Sequence, residues 1–305
     1  MSRSATLRPL AWLALTAACV GAVPVGGFGE RAAPAPPARQ ATFRSGVALV
    51  RVDVLASDKG RPLTGLRADD FEILDNGVVQ QPDFVTAAGG ITVVADLDTS
   101  RSVNGKALDD LVGATRALVG GLKPGDWVGL VTFSQRVSLR VPVTARNPGA
   151  ALVDAALDAL RADGGTAVRD ALFAGLTIAA RDVGRSLLLV FTDGTDSASW
   201  LSQRALEDSV SRSEVVVYVV VGGASPDVAF LQRIADISGG QLFRAGSSQL
   251  TEHFGRILEE FRQRYVLAYE PQHVRRDDGW HTLKVRLKSK AGSVKARAGY
   301  FAAGK

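Results

Sequence analysis

Three short stretches carry oxygen-bearing side chains at spacings that suit a hard cation. In the first, the apolar run ITVVADLDTSRS (residues 91–102), Asp98, Ser100 and Ser102 alternate, so one loop can aim a carboxylate and two hydroxyls at a common point. The second is Gly164-Gly165-Thr166, which places the Thr166 hydroxyl at the start of a helix-like segment. The third is Asp193-Gly194, a carboxylate on a tight turn that follows the apolar run LLLVFT. Hard oxygen donors with few carboxylates suit a small divalent ion, Mg²⁺ above all with Mn²⁺ or Ca²⁺ as alternatives, because Mg²⁺ takes few protein carboxylates and keeps several waters.

The elements around these residues follow from periodicity. Ile91 to Asp98 and Leu187 to Thr192 are short, β-branched and uninterrupted, as strands buried on both faces of a parallel sheet are. Between and beyond them the pattern predicts helices near 105–122, 148–160, 167–180, 201–212, 228–238 and 250–262, and strands near 127–133, 138–143, 215–221 and 241–244. Strands alternating with helices give an α/β, doubly wound, Rossmann-like fold, in which ligands bind at the carboxyl ends of the strands. The flanks read differently. Residues 47–55 alternate, FEIL-DNG-VVQ (71–80) is a hairpin with an Asn-Gly turn, and 265–269, 281–287 and 294–297 alternate apolar with basic residues. Neither flank has enough strands to be stable alone. The expectation is a second, smaller β-sandwich-like unit built from both chain ends, 43–88 and 264–301, around a domain over 89–263.

The set DxSxS, GGT and TDG, in that order on three loops, resembles the metal-ion-dependent adhesion site of von Willebrand factor type A domains. That resemblance implies that Ser100, Ser102 and Thr166 offer hydroxyls to a metal, with Asp98 and Asp193 in or just behind the coordination sphere. It also implies a last position left for an Asp or Glu of a protein partner, and a final helix, 250–262, that shifts on ligation. The residue between the serines, often Gly in the family, is Arg101. The flanks GLRADDFEILDNG, RYVLAYEP and RAGYF further resemble a bacterial exported group of VWFA-related proteins. The function implied is an exported, non-catalytic adhesion or protein-binding module.

Rival readings exist for the same residues. Asp96-Leu97-Asp98-Thr99-Ser100 resembles the DxDx[T/V] nucleophile motif of haloacid-dehalogenase-type phosphatases, with Asp96 as nucleophile and Asp98 as general acid. Residues 140–190 lack the Lys such an enzyme needs, and the serine pair is then unexplained. A structural role in envelope assembly, with the metal only stiffening loops, is the third reading. Asp96 either lies where its strand reaches solvent or stands behind the metal ligands, because a buried unpaired carboxylate is expensive. Asp196 and Ser197 read as a solvated turn, and Tyr265, Tyr269, Tyr300 and Phe301 as core of the β-unit. His253, His273 and His281 have no metal-ligand spacing.

The 305 residues carry a formal net charge of +5, which makes no case for nucleic acid. Residues 261–305 hold 11 basic and 3 acidic groups, read as a solvated β-face studded with Lys and Arg. Arg3 and Arg8, the apolar run 10–20 and Val20-Gly21-Ala22 read as a secretory signal over 1–22. That apolar run is too short for a membrane span, so no span is expected after cleavage. A Pro/Ala/Gly-rich linker over 23–42 follows. Export to a periplasmic or extracellular location follows from the signal, with lipid anchoring at Cys19 as the lesser alternative, since Thr16-Ala17-Ala18 fits a lipoprotein signal poorly.

Overall fold

The computed structural model describes residues 49–84, 90–180, 184–193, 195–223, 227–274, 279–288 and 291–302. The secretory signal and linker read from 1–42, as well as Gly194, lie outside these residues. The chain opens with β1 (Val50–Asp58), β2 (Arg61–Pro62), β3 (Phe71–Asp75), β4 (Val78–Gln80) and β5 (Asp83–Phe84). The α/β part then runs β6 (Ile91–Asp98), α1 (Lys106–Gly120), β7 (Trp127–Phe133), β8 (Val137–Ala145), α2 (Arg146–Asp158), α3 (Val168–Ala179) and β9 (Arg185–Thr192). It continues with α4 (Gln203–Ser211), β10 (Val216–Val221), α5 (Val228–Ser238), β11 (Gln241–Arg244) and α6 (Leu250–Arg262). The tail is β12 (Tyr265–Tyr269), β13 (Trp280–Leu287), β14 (Ser293–Lys295) and β15 (Gly299–Phe301).

The central sheet has the order β11-β10-β9-β6-β7-β8, all parallel except the β7–β8 hairpin. β6 is buried at every position because both faces of the sheet are covered. Val93, Ala95 and Leu97 face a core shared with α1, α2 and α6, and Val94 faces one shared with α3, α4 and α5. The doubly wound α/β expectation therefore holds. In β6 the alternation puts Asp96 and Asp98 on the α3 side, and the parallel register sets the ends of β6, β7, β9 and β10 level at one edge.

Both flanks combine into two further sheets. β1 pairs with β12 along its first half and with β14 along its second, while β13 pairs with β3 and β15. Val52 and Val54 of β1, Phe71 and Ile73 of β3, Leu267 and Tyr269 of β12 and Leu283 of β13 share one core. The expected strand over 294–297 ends at Lys295, and the RAGYF segment supplies a strand that the alternation did not predict.

Asp75, which the hairpin pattern places in a turn, ends β3 and is fully buried. Its carboxylate accepts hydrogen bonds from the hydroxyls of Tyr269 and Tyr300, each at 2.8 Å, and lies 2.9 Å from Nδ1 of His281. Tyr269 and Tyr300 are core, as expected, but core with a polar purpose. Asp75 gives both hydroxyls a buried acceptor, and the Tyr300 hydroxyl also lies 3.2 Å from Nδ1 of His281.

Gly239 joins the two parts. It is the left-handed residue that ends α5, and a Cβ there would lie 2.5 Å from the backbone of Ala296 and Arg297. Ala298 donates its amide to the Ile237 carbonyl at 3.1 Å alongside.

Candidate metal centre

The loop after β6 folds on its own polar side chains. The Ser100 amide donates to Oδ1 of Asp98 at 2.8 Å, the Asx-turn geometry that Asp favours at a strand end. Thr99 anchors the loop sideways, donating both its amide and its hydroxyl to the Phe133 carbonyl at the end of β7. Thr192, the last residue of β9, donates its hydroxyl to Oδ2 of Asp98 at 2.7 Å. Asp98 is thereby held on both oxygens and fully buried.

Above it, Ser100 Oγ and Ser102 Oγ are 3.1 Å apart, and Ser102 Oγ donates to Asp193 Oδ1 at 2.8 Å. Thr166 lies two residues before α3 on a loop tied to both neighbours. The Arg101 amide donates to the Gly164 carbonyl at 3.1 Å and the Asp163 amide to the Thr99 carbonyl at 2.9 Å. On the other side, the Thr166 amide donates to Ser197 Oγ at 3.0 Å and the Ser197 amide returns to the Thr166 carbonyl at 2.8 Å. Direct hydrogen bonds thus link Asp98 to Ser100, Ser100 to Ser102 and Ser102 to Asp193. Thr166 joins them through its backbone, on a loop bonded to both of theirs.

These spacings are those of ordinary hydrogen bonds and equally those of neighbouring ligands on a small cation. Adjacent ligands of an octahedral ion at about 2.1 Å stand about 3.0 Å from one another, against 3.1 Å and 2.8 Å for the two side-chain pairs here. Burial raises the Asp98 carboxyl above the ordinary carboxylate range; the Ser100 and Thr192 bonds pull it back down, and the nearby Asp193 charge raises it. A divalent ion would relieve both penalties. Among the described residues no group of three or more His, Cys, Asp or Glu side chains converges, so hydroxyls make up most of any donor set.

Asp96 departs from one of the two expectations for it, since its strand does not reach solvent there. It is wholly buried, two residues before Asp98 in β6, and neither of its carboxylate oxygens has a hydrogen-bond partner among the described residues. Burial pushes its carboxyl well up, toward the protonated form. It fits under α3 because Gly175 leaves room: a Cβ there would come 2.3 Å from Asp96 Oδ2.

Asp196 is also not a solvated turn. Its side chain is 6% exposed and caps α3, accepting from the Arg169 amide at 3.0 Å, the Ser199 hydroxyl at 2.6 Å and the Arg169 guanidinium at 3.2 Å. Asp170 reciprocates, accepting the amides of Trp200 and Leu201 at 3.0 Å and 2.9 Å. This buttress holds the Thr166 and Asp193 loops together and was not read from the sequence. No local signal marks it, because Asp196 caps a helix about thirty residues upstream of itself rather than the one that follows. Arg101 is 81% exposed and reaches Asp163 at 3.7 Å.

Residues 93–195 match the family model of the von Willebrand factor type A domain. No curated protein matches the chain. Among solved structures, a von Willebrand factor type A protein from Catenulispora acidiphila matches with a TM-score of 0.52 and 18% identity, over 71% of this chain and 51% of that one. Proximal thread matrix protein 1 from the mussel byssus, with a zinc-occupied MIDAS motif, matches with a TM-score of 0.52 and 18% identity, over 62% of this chain and 50% of that one. The chain spans about half the length of these solved structures. The family match covers the strands and loops that carry the cluster, and the doubly wound fold is the one shared with the solved von Willebrand factor type A structure.

Proposed function

We propose that this chain is an exported, non-catalytic binding protein that takes an acidic side chain of a partner protein through a divalent cation, Mg²⁺ before Mn²⁺ or Ca²⁺. Asp98, Ser100, Ser102, Thr166 and Asp193 would hold the ion. The observation that carries the reading is the pair of ligand-like separations joining Ser100, Ser102 and Asp193 above a buried Asp98. The zinc-occupied MIDAS of the byssus protein points the same way. When bound, the ion supplies a Lewis-acid position for an incoming carboxylate, with residual positive charge because most donors are neutral. The chain's residues do the positioning: Thr192 and the Ser100 amide orient Asp98, and the Asp196–Arg169–Ser199 buttress fixes the loop of Thr166. Export rests on the signal read at 1–22, and the division into a domain over 89–263 inside a unit from 43–88 and 264–301 is part of the same reading.

The phosphatase alternative loses support from Asp96. A nucleophile sealed beneath α3, with its carboxyl pushed toward neutrality, has no path to a phosphoryl group. The experiment is a Mg²⁺ titration of metal-free protein followed by thermal melting, with capture of partners from envelope extract in the presence or absence of chelator. Wild type should gain stability from Mg²⁺ and capture partners only with it, and Asp193→Ala should lose both. An Asp193→Ala protein that answers Mg²⁺ like wild type refutes the ligand set; chelator-insensitive capture refutes the binding mode.

A further inference from the structure

At the opposite edge of the central sheet, where the β-unit meets the domain, a cavity of about 30 Å³ lies between β1 and β12 on one side and the starts of β9 and β10 on the other. Arg51 and Asp53 reach it from β1, whose other face, Val50, Val52 and Val54, belongs to the core of the β-unit. Arg185, Glu214 and Arg297 complete its charged lining, and Val216 and Val266 are apolar wall.

The charges around this cavity do not balance. Asp53 is already used twice: Oδ2 accepts from Arg185 Nε at 2.9 Å, and Oδ1 accepts from Nε of the wholly buried Arg264. Glu214 is 60% exposed and stands 3.5 Å from Nη2 of Arg297, a weak counter-charge. Arg297 donates Nη2 to the Arg51 carbonyl at 2.7 Å, while its buried Nε has no acceptor. Burial pushes the Arg297 guanidinium below its usual range, which Glu214 and the Tyr269 and Tyr300 rings only partly offset. Arg51 has neither an ion-pair nor a side-chain hydrogen-bond partner among the described residues. A desolvated cation with an orphaned donor, beside a second unpaired guanidinium, is costly unless a counter-ion joins them.

We propose that this cavity binds a small inorganic anion, of the chloride or phosphate class, between Arg51 and Arg297. The room is right for an ion the size of one or two waters, since a single water needs about 10–15 Å³ by this measure. Guanidinium groups are the side chains best suited to such ions, being weakly hydrated and rich in fixed N–H donors. The site is independent of the metal cluster. It would lock the tail segment after β14 to β1 and to the α/β domain, since Arg297 follows β14 and Arg51 lies on β1.

The test is thermal melting of the metal-free full chain at constant ionic strength, with gluconate exchanged for chloride in one arm and for phosphate in the other, in wild type and Arg51→Gln. Wild type should show a saturable rise of roughly 5–10 °C at a hundredfold excess over Kd in at least one arm. Arg51→Gln should melt higher than wild type in gluconate, because an unpaired charge is gone, and should lose the rise. The arm that saturates names the ion. An equal rise in both proteins is the general salting effect of such ions and overturns the site. No rise in wild type overturns it as well. Should Arg51→Gln fail to fold, bromide-soaked crystals of wild type decide: anomalous density between Arg51 and Arg297 supports the site, and its absence at saturating bromide refutes it.

Discussion

The two edges of the central sheet treat carboxylates in opposite ways. At the carboxyl ends of the strands, Asp98 and Asp193 are held by Ser100, Ser102, Thr192 and one amide, and neither has an ion-pair partner among the described residues. At the amino ends two carboxylates own arginines, the half-buried Asp53 with Arg185 and Arg264, and the buried Asp126 with Arg262 at 2.6 Å. Neutral donors orient an acid without discharging it, so the first edge keeps a demand for an external cation. Guanidinium partners discharge theirs, and the second edge becomes a clamp between α6, the domain and the β-unit. The clamp overshoots, leaving the cationic surplus at Arg51 and Arg297.

The largest way to break this contrast is Arg264→Ala. Arg264 is fully buried and donates to Asp53, to the Gly239 carbonyl at 2.8 Å and to the Tyr218 hydroxyl at 3.2 Å. Removing it takes one of two arginine partners from the Asp53 carboxylate, which keeps Arg185, and leaves the Gly239 carbonyl and the Tyr218 hydroxyl short of a donor, at a cost of about 2–4 kcal/mol. Chemical denaturation should show that loss, while the stabilisation gained from Mg²⁺ stays as in wild type. Loss of the Mg²⁺ response together with stability would mean that the edges are not separate devices.

A smaller effect is expected at Asp126. Burial alone would raise its carboxyl, but the Arg262 guanidinium and the amides of Ile91 and Lys123 outweigh that and hold it below the ordinary carboxylate range. A carboxyl lowered in the folded state contributes stability above its unfolded pKa of about 3.9 and loses it as pH falls through the folded value. Asp126→Asn should therefore be less stable than wild type at neutral pH by about 1–3 kcal/mol, through the weakened bonds and the Arg262 charge left short of a partner. The gap should narrow below pH 4. Denaturant midpoints measured from pH 7 down to pH 2.5 check it, and a gap constant across that range contradicts the assignment. The bond also pins the end of α6, whose start is tied to α1 by Ser247 and Asp110 at 2.7 Å, so any ligation-linked movement of this helix has to strain it.

The sequence made the first edge far more legible than the second. β6 and β9 announce themselves as apolar runs, and each ends in its own polar residue, so the cluster of Asp98, Ser100, Ser102 and Asp193 sits where periodicity stops. The buttress at Asp196, the tyrosine hydroxyls on Asp75 and the clamp at Arg264 give no such sign. Each joins residues distant in the chain, and each looks locally like something ordinary: a turn, a hairpin end, a helix terminus. The basic tail misled in the same way. Lys295 and Arg297 read as a solvated face, but Lys295, the last residue of β14, donates to Gln241 at 3.0 Å, and Arg297 beyond it is largely buried beside β1. Asp96 resisted for the opposite reason, since its burial depends on Gly175, a residue whose only contribution is the atom it lacks.

Arg101 is the subtlest way to sharpen the comparison, because it is a cation placed between the two serines of the cluster. Its guanidinium is exposed and 3.7 Å from an equally exposed Asp163, so their pairing contributes little to stability. Arg101→Gly should leave the melting temperature of metal-free protein unchanged within error. If Arg101 acts on the cluster only through its charge, removing it takes away a screened repulsion of the incoming cation, and Mg²⁺ affinity should rise about twofold at low salt and converge with wild type as salt shortens the Debye length to about 3 Å. Calorimetric titration at two ionic strengths measures both numbers. A variant that binds Mg²⁺ more weakly than wild type would show instead that Arg101 shapes the loop, through its amide on Gly164 and its carbonyl on Asn104 at 2.7 Å, and that at this position backbone geometry outweighs charge.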